Sequence, residues 1–194
     1  MALIGLCGCI IFVIIVCILH FLRPDKNPLS FFVSEYAVGK VSWLMTFGFY
    51  TLAIAVTSLL IGLLQQVKIT AIAIITVGIF SMGILLAGIF PTDVGTKPPT
   101  VGGLIHGFAA LVALASLAIS MMALGMVFKR SEGWRKFASP SIFYGIVSLV
   151  LLIVFIGSPI SFRGATQRLL LVWDISWLML VSWKLYRHII TAFV

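Results

Sequence analysis

Six long apolar stretches separated by short polar loops are the feature of this sequence that most restricts its fold. Each is close to the roughly 20 residues that a helix needs to cross the hydrocarbon core of a bilayer. Backbone polar groups in lipid must be satisfied within the protein, which favours helices. The sequence therefore predicts an all-α fold, a polytopic membrane bundle of six transmembrane helices with short loops. The predicted spans are residues 2–22, 41–64, 69–90, 103–128, 141–158 and 168–186.

The composition agrees with a membrane protein and excludes a soluble domain. Apolar residues make up 62% of the 194 residues and charged residues only 9%, whereas a soluble domain has roughly 25% charged residues. The spans use most of the chain, so we expect residues 1–194 to form a single transmembrane domain. The net charge of +8 comes from basic residues in loops and at helix ends, where they meet lipid headgroups. Membrane lipids are therefore the expected partners, and nucleic acid is not.

The distribution of basic residues predicts a topology. An even number of spans places both termini on the same side as the loop after the fourth span, which carries a dense basic run between Lys129 and Lys136. Short loops rich in lysine and arginine stay in the cytoplasm. We therefore predict a multi-pass cell-membrane protein whose termini and 129–140 loop are cytoplasmic. Arg23 and Lys26, which follow an uncharged amino terminus, favour the reverse orientation.

Most acidic side chains and two histidines gather on the side opposite this basic loop. The polar stretch from Phe90 to His106 ends one span and opens the next at that surface. The clustered residues are Asp25, Glu35, Asp93, Asp174, His20 and His106. This clustering is the main functional signal of the sequence and predicts a polar vestibule open to one membrane surface.

Asp174 is the most informative of these residues. At about 1.5 Å per residue it lies about 9 Å into the sixth span, and a carboxylate near the bilayer centre costs roughly 2.5–3.5 kcal/mol. It should therefore be paired, protonated or next to a wet cavity. His106, Arg163 and Arg168 are the available partners, and Gln167, seven residues earlier, shares its helical face. A buried pair that only fixes the helix register is an alternative of equal weight.

Three functions fit this polar cluster. The first is a vestibule that binds a small polar ligand or a lipid headgroup, with Arg163 and Arg168 available for a phosphate or carboxylate. The second is a membrane-embedded lipid hydrolase in which His106 is the general base and Asp93 orients it. The third is an accessory or structural subunit of a larger membrane complex, whose polar cluster only locks helices together. The predicted ligand-binding residues are Glu35, Asp93, His106, Arg163, Arg168 and Asp174.

Metal binding and serine chemistry are weaker alternatives. Glu35, Asp93 and His106 could supply oxygen and imidazole ligands to a metal ion, although their spacing is not a recognised motif. Ser34 and Ser158 could act as nucleophiles beside a histidine, but neither lies in a Gly-x-Ser-x-Gly turn. The sequence indicates no particular cofactor.

Four short motifs together resemble an integral-membrane family known as domain of unknown function 998. They are Ser34-Glu35-Tyr36-Ala37-Val38-Gly39, Phe90-Pro91-Thr92-Asp93, Gly103-Leu104-Ile105-His106, and Gln167-Arg168 before a sixth span that carries tryptophans. The resemblance covers nearly the whole chain and implies a six-helix membrane domain whose biochemical role is unassigned. The family's sixth helix is often preceded by Gly-Leu-x-Glu-Arg, and Gln167 stands here at the position of the glutamate.

Overall fold

The computed structural model describes residues 1–95 and 98–191 of the chain. Within these residues, six helices are long and apolar enough to cross a membrane, which confirms the predicted all-α fold of six membrane-spanning helices. The helices are α1 Ala2–Leu22, α2 Ser42–Leu64, α3 Ala71–Ile89, α4 Val101–Lys129, α5 Ala138–Gly157 and α6 Arg163–Thr191. Short 3₁₀ turns lie in the connecting loops at Val33–Ala37, Arg135–Phe137 and Ile160–Phe162.

The helices form a closed ring in chain order. Each packs against its neighbours in the sequence, and α6 closes the ring against α1. Short loops join consecutive helices as antiparallel neighbours, so the loops after α1, α3 and α5 share one end of the bundle. We call residues 23–41 the cap loop and this end of the bundle the cap end. At the other end, Gly62 of α2 lies against both Met1 and Leu185 of α6.

Small residues bring neighbouring helices of the ring close together. A Cβ built on Gly83 of α3 would lie 2.7 Å from the Cβ of Ala113 in α4. Gly8 of α1 lies equally close to Ala55 of α2. In lipid, where apolar bulk provides little force between helices, such close backbone approach is a main source of association. Close packing at small residues therefore stabilises the ring in addition to its polar contacts.

Three helices, α4, α5 and α6, begin earlier than the sequence predicts. α4 begins at Val101 rather than at residue 103, because Thr100 Oγ1 accepts a hydrogen bond from the Gly103 N–H at 3.0 Å and so caps the helix. α5 begins at Ala138 rather than at residue 141. Pro140 lies in the first turn of α5, where an N–H would have no intrahelical acceptor, so proline is tolerated there.

α6 is longer than predicted at both ends. It begins at Arg163 rather than at residue 168. Gly164 lets the start of α6 lie directly against the cap loop, since a side chain at this position would place its Cβ 2.5 Å from the carbonyl oxygen of Phe31. At the other end, the ring of His188 packs edge-on against Trp134 of the α4–α5 loop, with ring centroids 6.0 Å apart. Both extensions of α6 therefore rest on loops that are distant in the sequence.

Candidate ligand-binding site

A small cavity lies inside the ring, next to the cap loop. Its volume is about 50 Å³, enough for a few water molecules, since one water needs roughly 10–15 Å³ of such space. Apolar side chains of α1–α4 and α6 form most of its wall. Its polar lining consists of Ser34, His106, Gln167 and Asp174. We call this space the central cavity.

Asp174, in α6, is almost completely buried, with 1% of its surface exposed. Ser148 of α5 donates a hydrogen bond from Oγ to Asp174 Oδ1 at 2.7 Å. The second carboxyl oxygen, Oδ2, is buried and has no hydrogen-bond partner among the described residues. A buried polar atom without a partner is costly in apolar surroundings. Because Asp174 lines the central cavity, a molecule in that cavity could supply the missing hydrogen bond.

His106, near the start of α4, is held by the end of α3. Pro91 has no N–H and cannot donate to the Ala87 carbonyl as a continuing helix would. His106 Nδ1 takes that place, 3.1 Å from Ala87 O and 2.8 Å from Phe90 O. Both neighbours are acceptors, so Nδ1 carries the hydrogen. In the neutral ring, Nε2 is then the nitrogen with the lone pair.

Gln167 and Ser34 form the rest of the polar lining. Gln167 Oε1 accepts a hydrogen bond from the Val33 N–H at 2.7 Å, which ties α6 to the cap loop. A glutamate at position 167 could accept the same hydrogen bond, so the amide preserves this tie and adds an N–H donor. Gln167 and Asp174, seven residues apart on α6, both line the central cavity.

The cap loop closes the central cavity at the cap end and is held by buried charges. Arg23 and Lys26 are only 7% and 8% exposed. Lys26 Nζ pairs with Glu35 Oε2 at 3.4 Å, and Glu35 Oε1 accepts from the Phe32 N–H. Arg23 pairs with Asp25 at 2.8 Å, and this hydrogen bond lowers the pKa of Asp25 to about 2. Both carboxylate oxygens of Glu35 therefore bind to groups within the cap loop.

Arg168 joins α6 to α1 and to the cap loop. Its Nε donates to His20 Nε2 at 2.9 Å, and its second terminal nitrogen donates to the Tyr36 hydroxyl at 3.2 Å. His20 Nδ1 lies 2.6 Å from Val16 O, so it carries the hydrogen and leaves Nε2 to accept from Arg168. The first terminal nitrogen of Arg168 donates to the carbonyl oxygens of Pro28, Phe31 and Gly164.

Arg163 and Asp93 also bond to neighbouring groups of the cap end. Arg163 Nε donates to Ser158 O at 3.0 Å. Asp93 accepts from the Thr100 N–H at 2.9 Å and from Thr100 Oγ1 at 2.8 Å. Asp93 therefore holds the residue that caps α4. No hydrogen bond joins Asp93 to His106 in the part of the chain that the structure describes.

The predicted site residues thus fall into two groups. His106 and Asp174 share the central cavity, whereas the others bond to loop and backbone groups around it. Within residues 1–95 and 98–191, no three His, Cys, Asp or Glu side chains lie close enough to hold a metal ion. The structure therefore does not assemble the metal site that Glu35, Asp93 and His106 could have formed.

Ser148 is the residue of this site that sequence reasoning missed. Ser141 and Ser148 are seven residues apart on α5, and both face α6. Ser148 donates to Asp174, and Ser141 Oγ accepts from Trp177 Nε1 at 3.1 Å. The available signal was a pair of serines at helical spacing in an otherwise apolar span, opposite a span that contains a carboxylate.

Comparison with known proteins gives a family without an assigned activity. The family model described as Protein of unknown function (DUF998) matches residues 6–184. No curated protein and no solved structure matches the chain significantly. The matched residues include α2 to α5, most of α1 and α6, and the four polar residues of the central cavity. The chain therefore belongs to the DUF998 family.

Proposed function

We propose that the central cavity binds a small polar ligand or a lipid headgroup through a hydroxyl or ammonium group that donates hydrogen bonds. The observation that carries this proposal is Asp174 Oδ2, a buried oxygen without a described partner in the wall of a cavity. Buried polar groups in proteins are nearly always hydrogen-bonded. An ionisable group inside a membrane span is most often functional.

The other polar groups of the cavity favour the same kind of ligand. His106 uses Nδ1 on backbone carbonyls, which leaves the lone pair of Nε2 as an acceptor. Among the described residues, no lysine or arginine lines the central cavity. A phosphate or carboxylate would therefore meet a carboxyl group without a compensating cation. The arginines that could have held an anion, Arg163 and Arg168, donate to protein groups instead.

The geometry supports binding better than hydrolysis. A histidine that activates a serine must reach its hydroxyl through a hydrogen bond. No such bond joins His106 to Ser34 across the described structure, although both line the central cavity. A purely structural role for the Asp174–Ser148 pair accounts for Oδ1 and leaves Oδ2 unexplained.

The experiment is a thermal-stability assay on the purified protein in mild detergent. The probes are methylammonium and glycerol, with inorganic phosphate at the same ionic strength as the anionic comparison. We expect one or both donor probes to raise the melting temperature of the wild type. A ligand at a hundred times its Kd adds about 2.7 kcal/mol of stability. Phosphate should give no such increase.

Two variants show whether the effect belongs to the cavity. Asp174→Asn keeps the size of the side chain and an acceptor for Ser148 but replaces one carboxyl oxygen with an amide donor, so it should lose the response. Thr76→Val is the matched control, because Thr76 is a buried polar residue of α3 that bonds to its own helix. An equal response in wild type and Asp174→Asn, or no response to either donor probe, would contradict the proposal.

A further inference from the structure

A groove on the outer surface of the ring runs between α1 and α6. Its volume is about 370 Å³, and its surface is almost entirely apolar. Val172, 68% exposed, and the exposed Cys17 lie on its lipid-facing sides. Toward the cap end it reaches His20 and Arg168. The groove therefore follows the contact that closes the ring, where the first and last helices meet.

The groove and the central cavity share a wall. Phe12, Val33, Leu171 and Ile175 line both spaces. A single layer of apolar side chains thus separates the lipid-facing groove from the cavity that contains Asp174 and His106. At the cap end, Val33 and Ser34 of the cap loop form part of the cavity wall, and His106 and Asp174 are 3% and 1% exposed.

We infer that the ligand is a single-chain amphiphile that enters from the membrane between α1 and α6. Its alkyl chain lies in the groove, and its hydrogen-bond-donating polar group reaches Asp174 and His106 past the shared wall. This inference rests on the proposed function and adds the chemical class of the ligand and its route of entry. Displacement of the Phe12 and Leu171 side chains opens the wall.

The shape of the groove favours an alkyl chain over a partner helix. One turn of a helix, about 5.4 Å long and about 10–12 Å across with its side chains, occupies more than about 400 Å³, whereas the volume of the groove is about 370 Å³. An alkyl chain is thin and has no hydrogen-bonding group to satisfy. For a chain that comes from water, burial of each CH₂ group is favourable in proportion to the area removed from water. For a chain that comes from the bilayer, the amphiphile replaces the lipid chains that would otherwise fill the groove.

The first experiment compares three probes by native mass spectrometry titration of the purified protein. Dodecylamine carries an alkyl chain and a donor group, methylammonium carries only the donor group, and dodecyl phosphate carries the same chain with an anionic group. We expect dodecylamine to bind at least tenfold more tightly than methylammonium. Dodecyl phosphate should bind to the wild type no more tightly than it binds to the Asp174→Asn variant.

A matched pair of variants tests the groove. Val172→Trp fills the groove from its lipid-facing side and should abolish the advantage of dodecylamine while methylammonium binding remains. Ile153→Trp places the same bulk on α5, where Ile153 is 70% exposed and outside the groove, and should behave as wild type. Equal behaviour of the two variants, or equal binding of dodecylamine and methylammonium by wild type, would overturn the inference.

The native cysteines give a test that needs no variant. Cys7 and Cys17 are both exposed on α1, but only Cys17 lines the groove. Dodecylamine should slow the alkylation of Cys17 by N-ethylmaleimide at least tenfold and leave Cys7 unchanged. Equal protection of both thiols would contradict binding of the alkyl chain in the groove. Methylammonium binding that depends on Asp174 would leave the proposed function standing even then, whereas loss of that dependence would remove both.

Discussion

Arg168 donates hydrogen bonds to His20, to Tyr36 and to backbone carbonyls of the cap loop. Only a guanidinium offers donors in a rigid planar fork that can serve several acceptors at once. The Pro28 and Phe31 carbonyls of the cap loop point toward α6, so a side chain with several donors is needed where these acceptors meet. Arg168 therefore joins three segments that are far apart in the sequence.

We expect Arg168→Lys to lower stability by about 2 kcal/mol or more, because hydrogen bonds to charged groups contribute about 1.5–3 kcal/mol each and the ammonium cannot reproduce the fork. Thermal unfolding of the purified protein measures this loss. Arg163→Lys is the matched control, since Arg163 Nε bonds to Ser158 O nearby in the sequence. It should cost less than Arg168→Lys, about 1.5 kcal/mol, because only one such bond to a carbonyl is affected and the lysine ammonium can also donate. Equal losses would mean that the contacts of Arg168 add little.

At the scale of a single element, α4 shows how one capping interaction sets a helix start. Thr100 accepts from Gly103 N–H and donates to Asp93, so the cap is itself held by a carboxylate. The predicted start at residue 103 is two residues too late, and Gly102, which has low helix propensity, lies in the stretch that was missed. The cap outweighs that propensity, and its partner Asp93 lies seven residues before Thr100.

The adjacent glycines of α4 should respond to alanine with opposite signs. A Cβ on Gly103 would collide with the Asp93 carboxylate, so Gly103→Ala should break the cap and cost about 0.5–2 kcal/mol. A Cβ on Gly102 meets nothing closer than Thr100 Oγ1 at 3.8 Å. Gly102→Ala should therefore raise stability by up to about 1 kcal/mol through helix propensity. Thermal unfolding of the two variants beside the wild type measures both changes in stability. Changes of the same sign would contradict this account of the cap.

At the scale of the whole molecule, close helix contacts are what keep the ring closed. α3 and α4 approach each other at Gly83, where a Cβ would also lie 2.8 Å from the Ala109 carbonyl oxygen. A backbone atom cannot move aside as a flexible side chain can. The central cavity depends on this spacing, because α3 and α4 both contribute to its wall.

We expect Gly83→Ala to cost about 1–3 kcal/mol through overpacking. Gly78, on the same helix, has no heavy atom within 4 Å of an added Cβ. Gly78→Ala is therefore the matched control and should cause no loss. Unfolding in detergent at several temperatures compares the two variants. If Gly78→Ala proved as harmful as Gly83→Ala, helix flexibility rather than close packing would be responsible.

The sequence by itself determined the number and approximate position of the spans, because the thickness of the bilayer makes length and apolarity local requirements. It also indicated that His106 and Asp174 lie toward the same end, since helix rise converts residue number into depth. The tertiary structure alone decided which polar atoms are already bonded. Arg168 bonds to Pro28, 140 residues away, while Asp174 keeps one oxygen without a described partner. Hydrogen-bond satisfaction depends on groups brought together by the ring, and the local sequence does not contain that information.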